Sequence, residues 1–216
     1  GGSASFAMNH PEKAIDFAYR SEHEMVVKSK AIINAFYGGA PKYSYWNGCS
    51  AGGRQALMEA QRFPADFDGI IAGSPGFDWS GRSAQAVRIN QILENEPARL
   101  TPAHQQLLHN AVVSACDAND GLKDGLIDDP RKCTFDPKVL LCKGEDGASC
   151  LTAPQVEAAK KIYSPAINPR TGREMFASLV PGTELGWGVQ ARGPEPSTNI
   201  YDQYKYVGLK DPTWDW

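Results

Sequence analysis

The chain has 216 residues, of which 42% are hydrophobic and 22% charged, as expected for a globular protein with one large domain or one and a half ordinary ones. The net charge is −3 and no stretch concentrates lysine and arginine, so the sequence lacks the basic footprint of a protein that binds nucleic acid or an anionic membrane. No apolar run approaches the roughly 18 to 20 residues that a membrane-spanning helix needs.

The first 79 residues alternate between helix and strand signals. A helix is predicted from Pro11 to Phe36, because proline suits a first helical position and the glycine pair at 38–39 suits a stop. An aromatic strand, a second helix and a buried strand follow, over 43–46, 54–62 and 67–72. This order predicts a parallel α/β sheet.

The pattern changes near residue 80. Helices are predicted over 83–94, 101–116 and 153–163, with Thr152 capping the last of them. The last fifty residues are rich in Gly, Pro, Trp and Tyr and show little periodicity. We therefore predict two domains, an α/β part over 1–79 and an irregular, mainly helical part over 80–216.

The five cysteines indicate an oxidising compartment. Four of them cluster without a C-x-x-C spacing, which disfavours zinc, and pairing neighbours predicts Cys116–Cys133 and Cys142–Cys150 disulfides. Cys49 is the odd one out, and a small buried residue is one interpretation of it. The N-terminal residues lack the basic start and apolar stretch of a signal peptide, which fits a processed protein, a fragment or a cytosolic protein.

The segment Gly48-Cys49-Ser50-Ala51-Gly52 matches G-x-S-x-G between a predicted strand and a predicted helix. A sharp turn there would strain the Ser50 backbone, project its hydroxyl and make the Ala51 N–H the first oxyanion donor. Glycines at 48 and 52 would relieve steric crowding. We predict Ser50 as a nucleophile, and the alternative is a glycine-rich turn with an idle serine.

No histidine is a convincing general base for Ser50. His10 and His23 precede the serine, opposite to the usual Ser, Asp, His order of this kind of site. His104 and His109 lie in one predicted helix but five residues apart, so they do not share a face and fit helix-surface roles. The sequence therefore predicts an incomplete triad.

The acidic loop, residues 116–130, holds five carboxylates within thirteen residues. Calcium prefers several oxygen ligands on a turning backbone, and the loop offers the side chains of Asp117, Asp120 and Asp124 and the carbonyls of Leu122 and Leu126. The EF-hand pattern is not met. A solvated acidic turn remains the alternative, although the flanking cysteines favour calcium because a disulfide would limit the entropy lost on binding.

Residues 45–64, from Tyr45-Trp46-Asn47-Gly48 to Gln61-Arg62-Phe63-Pro64, resemble the nucleophile block of the tannase, feruloyl esterase and terephthalate-monoester hydrolase family. The stretches 20–24 and 67–75 and the acidic loop also resemble it. The resemblance implies an α/β-hydrolase core with an inserted lid, Ser50 as acyl-enzyme nucleophile, a calcium ion held by the five acidic-loop ligands above, and both local disulfides. It also implies that Cys49 bonds a cysteine next to the catalytic histidine.

The resemblance implies a secreted or periplasmic serine esterase acting on aromatic esters of the feruloyl or galloyl type. In the family pattern the catalytic Asp and His and the second oxyanion donor fall outside these residues, so we expect a partial core of poor solubility. Trp187, between two glycines, is a candidate for stacking on the substrate ring or an ordinary packing residue. The alternatives to an esterase are a calcium-stabilised binding module, an inactive fragment, or a cytosolic hydrolase with free thiols.

Overall fold

The computed structural model of the protein describes residues 3–93, 96–144, 147, 149–187 and 198–215. Its helices are α1 (Pro11–Ile15), α2 (Ser21–Tyr37), α3 (Ala51–Arg62), α4 (Trp79–Leu93), α5 (Pro102–Cys116), α6 (Ala153–Ile162) and α7 (Thr198–Asp202). Its strands are β1 (Tyr45–Cys49), β2 (Gly69–Gly73), β3 (Ala166–Ile167) and β4 (Glu174–Phe176). Of the described helices, none is long and apolar enough to span a membrane.

The chain divides into two compact units. The first unit holds residues up to Trp79 together with Asp202–Trp214, and the second holds Ser80–Tyr201 and the last two residues. The sequence boundary between 79 and 80 coincides with the first division, but the predicted domain 80–216 did not anticipate that 202–214 belongs to the first unit. One reason is a long-range bond, in which the Ala4 N–H donates to the buried Asp202 carboxylate at 3.2 Å.

The first unit is built on the parallel pair β1–β2, which confirms the predicted parallel arrangement. The register runs from Tyr45 opposite Gly69 to Cys49 opposite Gly73. Helix α3 joins the two strands and packs against both, with Ala56 fully buried. The sheet therefore holds both ends of the segment that carries Ser50.

The predicted helix 11–36 is present but interrupted. A π-helical segment, Asp16–Arg20, separates α1 from α2. Helix α2 then ends where predicted, because Gly38 adopts φ 72° and donates its N–H to the Asn34 carbonyl at 3.0 Å.

The second unit has a helical core. Its buried side chains come mainly from α4, α5 and α6 and include Ile89, Leu93, Leu108, Val156, Ala159, Ile162 and Trp187. Capping boxes begin α5, at Thr101 and His104, and α6, at Thr152 and Gln155. The three predicted helices and the Thr152 cap are thus confirmed, with ends within four residues of those expected.

Candidate active site

Ser50 occupies a strained backbone position between β1 and α3. Its φ and ψ are 58° and −112°, a backbone conformation that residues other than glycine rarely adopt. The backbone is fixed on both sides, since the Ser50 N–H donates to the Gly73 carbonyl at 3.0 Å and the Ser50 carbonyl accepts from the Arg54 N–H at 3.0 Å. This strand–turn–helix conformation is the one that a nucleophile elbow requires.

Two glycines allow the close approach of strand and helix at this turn. A Cβ on Gly48 would lie 2.5 Å from the Gly52 carbonyl oxygen, and one on Gly53 would lie 2.3 Å from the Gly73 carbonyl oxygen. Gly52 itself is not crowded, because its Cβ would meet only Gln55 Oε1, at 4.0 Å. The expected crowding at 48 is therefore confirmed, whereas the expectation for 52 was wrong and the constraint falls on Gly53 instead.

These constraints also explain where the elements end. Asn47, Gly48 and Cys49 were assigned to the turn, but backbone pairing with β2 extends β1 to Cys49. The helix was expected from Arg54. It begins three residues earlier, at Ala51, and Gly53 in its first turn allows the helix to pack closely against β2.

The groups that would act on a substrate face outward. Ser50 and Ala51 are both exposed. No described residue accepts a hydrogen bond from the Ala51 N–H, which opens the twelve-residue helix α3. A free N–H at a helix N-terminus is a donor suited to developing negative charge. The geometry is thus compatible with the predicted roles of Ser50 and Ala51.

Trp46 is a site residue that sequence reasoning missed. It lies on β1, and its indole Nε1–H donates to the Gly52 carbonyl across the turn at 3.0 Å. The ring also meets Phe67 edge-on, with centroids 5.5 Å apart. The only sequence signal was an aromatic residue four positions before the serine, which predicts strand and not a bond to the helix.

Three of the four histidines lie within hydrogen-bonding distance of residues other than Ser50. His23 Nδ1 lies 2.6 Å from Asp66 Oδ2, His109 Nδ1 lies 3.1 Å from Glu184 Oε2, and His104 Nδ1 accepts the Thr101 N–H in the α5 capping box at 3.3 Å. Among the hydrogen bonds of the described residues, none joins a histidine to Ser50. His109 is partly buried rather than the helix-surface residue that was expected.

Glu59, on the inner face of α3, is a buried carboxyl without a donor. Its side chain is fully buried, and neither oxygen accepts a hydrogen bond from a described residue. Burial raises the pKa of Glu59, and the nearby Asp66 carboxylate raises it further. Burial and the repulsion from Asp66 both favour the neutral form of the Glu59 carboxyl.

The acidic loop folds its carboxylates onto its own backbone. The N–H groups of Asp124 and Gly125 donate to Asp117 Oδ1 at 3.2 and 3.0 Å. In the same way Asp120 accepts from Leu122 N at 2.8 Å and Asp124 from Leu126 N at 3.0 Å. Gly121 and Gly125 supply the left-handed turns, with φ 94° and 83°.

The expected calcium ligands are all oxygen atoms, the chemical type that this ion prefers. Within the described ranges, no three Asp, Glu, His or Cys side chains converge as metal ligands. The loop is nevertheless preformed around the buried Asp117, which joins the start of the loop to its middle at residues 124 and 125. A hydrogen bond from Arg131 lowers the pKa of the nearby Asp129 to about 2, so that carboxylate is already paired.

Both predicted disulfides are present, and Cys49 is free. Cys116 bonds Cys133, 17 positions further along the chain, and Cys142 bonds Cys150, 8 positions further along. The Cys49 thiol is exposed, so its interpretation as a small buried residue was wrong. The residue lies at the end of β1, where alternation along the strand turns its side chain outward.

Trp187 is a core residue, which corrects its candidacy as a substrate-stacking residue. It is 1% exposed and packs edge-on against Tyr163, with ring centroids 5.3 Å apart. Its indole N–H donates to Thr183 Oγ1 at 3.2 Å. The ring is therefore packed and its N–H is hydrogen-bonded inside the second unit, as in ordinary core packing.

Comparison with sequence families and curated relatives gives a consistent result. The model of the family described as "Tannase and feruloyl esterase" matches residues 1–202. An uncharacterized esterase of Xanthomonas campestris is 41% identical over 193 residues, covering 86% of this chain and 34% of that protein. A probable feruloyl esterase B-2 of Aspergillus flavus is 37% identical over 216 residues, covering 99% of this chain and 41% of the relative.

Solved structures show the same similarity. Feruloyl esterase B from Aspergillus oryzae superposes with a TM-score of 0.90 at 31% identity, over 100% of this chain and 44% of that one. Tannin acyl hydrolase from Aspergillus niger superposes with a TM-score of 0.72 at 25% identity, over 93% and 40%. The chain thus spans well under half the length of these proteins.

The fold is α/β, with part of an α/β-hydrolase core in the first unit and a mainly helical, irregular lid in the second. The family match extends through both units, and the structural match extends over the whole chain. The chain therefore belongs to the tannase and feruloyl esterase family.

Proposed function

We propose that the protein is a carboxylic ester hydrolase that acts on aromatic esters through a covalent acyl-enzyme at Ser50. The single observation that carries this proposal is the Ser50 backbone, held at φ 58° and ψ −112° between a parallel strand and a helix. Such strain needs a reason, and presenting a nucleophile at the edge of a sheet supplies one. A solvated glycine-rich turn would have no need for it.

In the proposed reaction the Ser50 oxygen attacks the ester carbonyl carbon, and the Ala51 N–H donates to the oxyanion that forms. Collapse of this intermediate expels the alcohol and leaves the acyl group on Ser50. Water then attacks the acyl-enzyme, releases the aromatic acid and restores the serine. In the family pattern a histidine takes the serine proton and returns it to the leaving alcohol.

We assign this histidine role to none of the four histidines of the 216 residues, because none is bonded to Ser50 and three have partners of their own. The base then belongs to the part of the relatives' length that these residues do not match. Cys49 fits the same proposal, since its exposed thiol lies beside Ser50 and the family pattern pairs it with the cysteine next to that histidine.

The proposed substrate class is taken from the names of the relatives and structural neighbours. Feruloyl and tannin esters share an aromatic acyl group, and the relatives are named as feruloyl esterase B or tannin acyl hydrolase. We propose feruloyl- or galloyl-type esters as the substrate class for this protein. Nothing in the described residues favours the alternative of a binding module without catalysis.

We also propose that the acidic loop binds calcium, with Asp117, Asp120 and Asp124 and the carbonyls of Leu122 and Leu126 as ligands. Support comes from the oxygen-only donor set, from the preformed turn around Asp117 and from the disulfide that closes the loop. Calcium would stabilise the second unit by holding the loop. The two disulfides also support a secreted or periplasmic location.

The test is ester hydrolysis by the full-length natural polypeptide, with chromatographic detection of the released acid. Methyl ferulate and methyl gallate are compared with methyl octanoate, and Ser50→Ala is assayed beside the wild type. The proposal expects release of the aromatic acid by the wild type, little turnover of the aliphatic ester, and none by the variant. Hydrolysis that survives in Ser50→Ala would rule out the serine mechanism, and a preference for the aliphatic ester would rule out the substrate class.

A further inference from the structure

The Trp46 indole joins the strand before Ser50 to the helix after it. Its Nε1–H donates to the Gly52 carbonyl at 3.0 Å, across the turn that contains the serine. The two bonded residues lie four positions before and two positions after Ser50. The bond therefore closes the turn from one side to the other through a side chain.

The turn is also closed by backbone bonds, but those act on Ser50 itself. Its N–H is bonded to the Gly73 carbonyl, and its carbonyl accepts from the Arg54 N–H. The indole bond instead acts on the peptide unit after Gly52, in the first turn of α3. A shift of that turn would carry with it the Ala51 N–H, the proposed oxyanion donor.

The glycine at position 48 fits this bond. A Cβ there would lie 2.6 Å from Trp46 Nε1 and 2.5 Å from the Gly52 carbonyl oxygen, the two atoms that the hydrogen bond joins. Any side chain at 48 would therefore enter the space of the bond. Because Gly48 has no side chain, the Trp46 indole can reach the Gly52 carbonyl in the helix.

Phe67 holds the indole from the other side. Its ring meets Trp46 edge-on at an interplanar angle of 78° and 5.5 Å between centroids. Phe67 lies just before β2, so the indole is fixed by an element independent of the turn. A ring that is held by packing can place its N–H without a further loss of side-chain freedom.

We propose that Trp46 is a positioning residue for the ester hydrolysis, which holds the first turn of α3, and with it the Ala51 N–H, at the place where the oxyanion forms. The inference rests on the proposed function of Ser50 and Ala51 but concerns a residue that touches neither substrate nor nucleophile. Its effect is on the tetrahedral intermediate and the transition states that lead to and from it, because the oxyanion is absent from the bound ester.

The test uses Trp46→Phe, which removes the N–H and keeps an aromatic ring, in the full-length natural polypeptide. The matched control is Tyr43→Phe, which removes one polar group from an exposed aromatic residue outside the turn and keeps its ring. Both are assayed for kcat and KM on methyl ferulate and for thermal unfolding. We expect kcat to fall about fivefold or more in Trp46→Phe, the scale of one neutral hydrogen bond, with KM changed less than twofold.

In Tyr43→Phe, kcat is expected to stay within about twofold of the wild-type value. An unchanged kcat in Trp46→Phe, or an equal loss of kcat in both variants, would overturn the positioning role. Ser50→Ala separates the two proposals: if it keeps activity the serine mechanism fails, whereas if it is inactive and Trp46→Phe matches wild type only the role of Trp46 fails.

One further measurement is made on the wild-type protein alone, so that the test does not depend on the folding of Trp46→Phe. The indole proton of Trp46 is assigned by ¹⁵N NMR and its exchange with solvent is measured. A hydrogen-bonded indole is expected to exchange at least tenfold more slowly than a free one. Exchange at the rate of a free indole would overturn the proposal without any variant.

Discussion

His23 Nδ1 lies 2.6 Å from Asp66 Oδ2, and the same imidazole stacks on the Phe63 ring with centroids 3.9 Å apart. This pair ties α2 to the connection between α3 and β2. Behind it lies Glu59, a buried residue of α3 whose carboxyl oxygens lack a donor among the described residues. The helix that presents Ser50 thus carries a buried carboxyl close to this pair.

We predict that Glu59 makes the unfolding free energy fall as pH rises. Burial and the charges of Asp66 and Glu22 raise the pKa of Glu59 above its ordinary 4.5, and only His23 opposes them. Below pH 4.5 both folded and unfolded chains carry the proton, so the full stability is present. Above it the unfolded chain loses the proton first, and the stability contributed by the neutral acid is lost progressively as pH rises through the folded-state pKa.

The measurement is urea unfolding between pH 4 and pH 8 for wild type and Glu59→Gln, which keeps the size and stays neutral. The variant is expected to lose the part of the pH dependence that Glu59 causes. Glu174→Gln, a change of the same group at an exposed position, is the control and should follow the wild type. Parallel pH profiles for wild type and Glu59→Gln would show that Glu59 ionises alike in both states.

Two neighbouring glycines should respond oppositely to alanine. In Gly53→Ala the new Cβ would lie 2.3 Å from the Gly73 carbonyl oxygen, which is backbone and cannot turn away. We expect a loss of about 1 to 3 kcal/mol in the unfolding free energy. In Gly52→Ala the nearest atom is 4.0 Å away, so stability should stay the same or rise by up to about 1 kcal/mol. Equal effects in denaturant unfolding would contradict this packing of helix on strand.

Replacing Ser50 by glycine and by alanine should show how much the strained backbone at this position costs in stability, since both variants lack the hydroxyl. At φ 58° a glycine is unstrained, whereas alanine keeps the strain of the serine. We therefore expect Ser50→Gly to be more stable than Ser50→Ala by about 1 kcal/mol, although both lack the hydroxyl. Thermal and chemical unfolding of the two variants provide the comparison. A less stable glycine variant would mean that the backbone at 50 is not strained.

Calcium is expected to raise the unfolding temperature through the acidic loop. A ligand that binds only the folded state, at about 100 times its dissociation constant, adds about 2.7 kcal/mol. Asp117→Asn should abolish most of this gain, because it removes the charge but keeps the oxygen that accepts from Asp124 and Gly125. Asp128→Asn, an exposed change in the same loop, should keep it. No calcium-dependent shift in the wild type would leave the loop as a solvated turn.

Local patterns predicted the elements better than the contacts between them. Thr152 and Pro11 mark helix starts because capping and proline geometry act within one turn. The disulfides followed from spacing, because close cysteines in an oxidising compartment pair with their neighbours. These features depend on chain segments of a few residues, which a sequence shows directly.

Features that depend on distant partners were missed or misjudged. The bond between Ala4 and Asp202 joins residues 198 positions apart, so no local pattern could place 202–214 in the first unit. Trp187 lies among core residues contributed by α4, α5 and α6, so its flanking glycines could not decide between substrate stacking and packing. Gly53 is constrained by the carbonyl of Gly73 on another strand, a contact that exists only once β1 and β2 pair.

The central claim, that Ser50 is an activated nucleophile, is tested most directly by covalent labelling. The full-length natural polypeptide is treated with a fluorophosphonate and its intact mass is measured, followed by peptide mapping, with Ser50→Ala in parallel. The account predicts one phosphonyl adduct per chain, located on Ser50 and absent from the variant. A folded wild-type protein that takes no label, or takes it at another serine, would contradict the account.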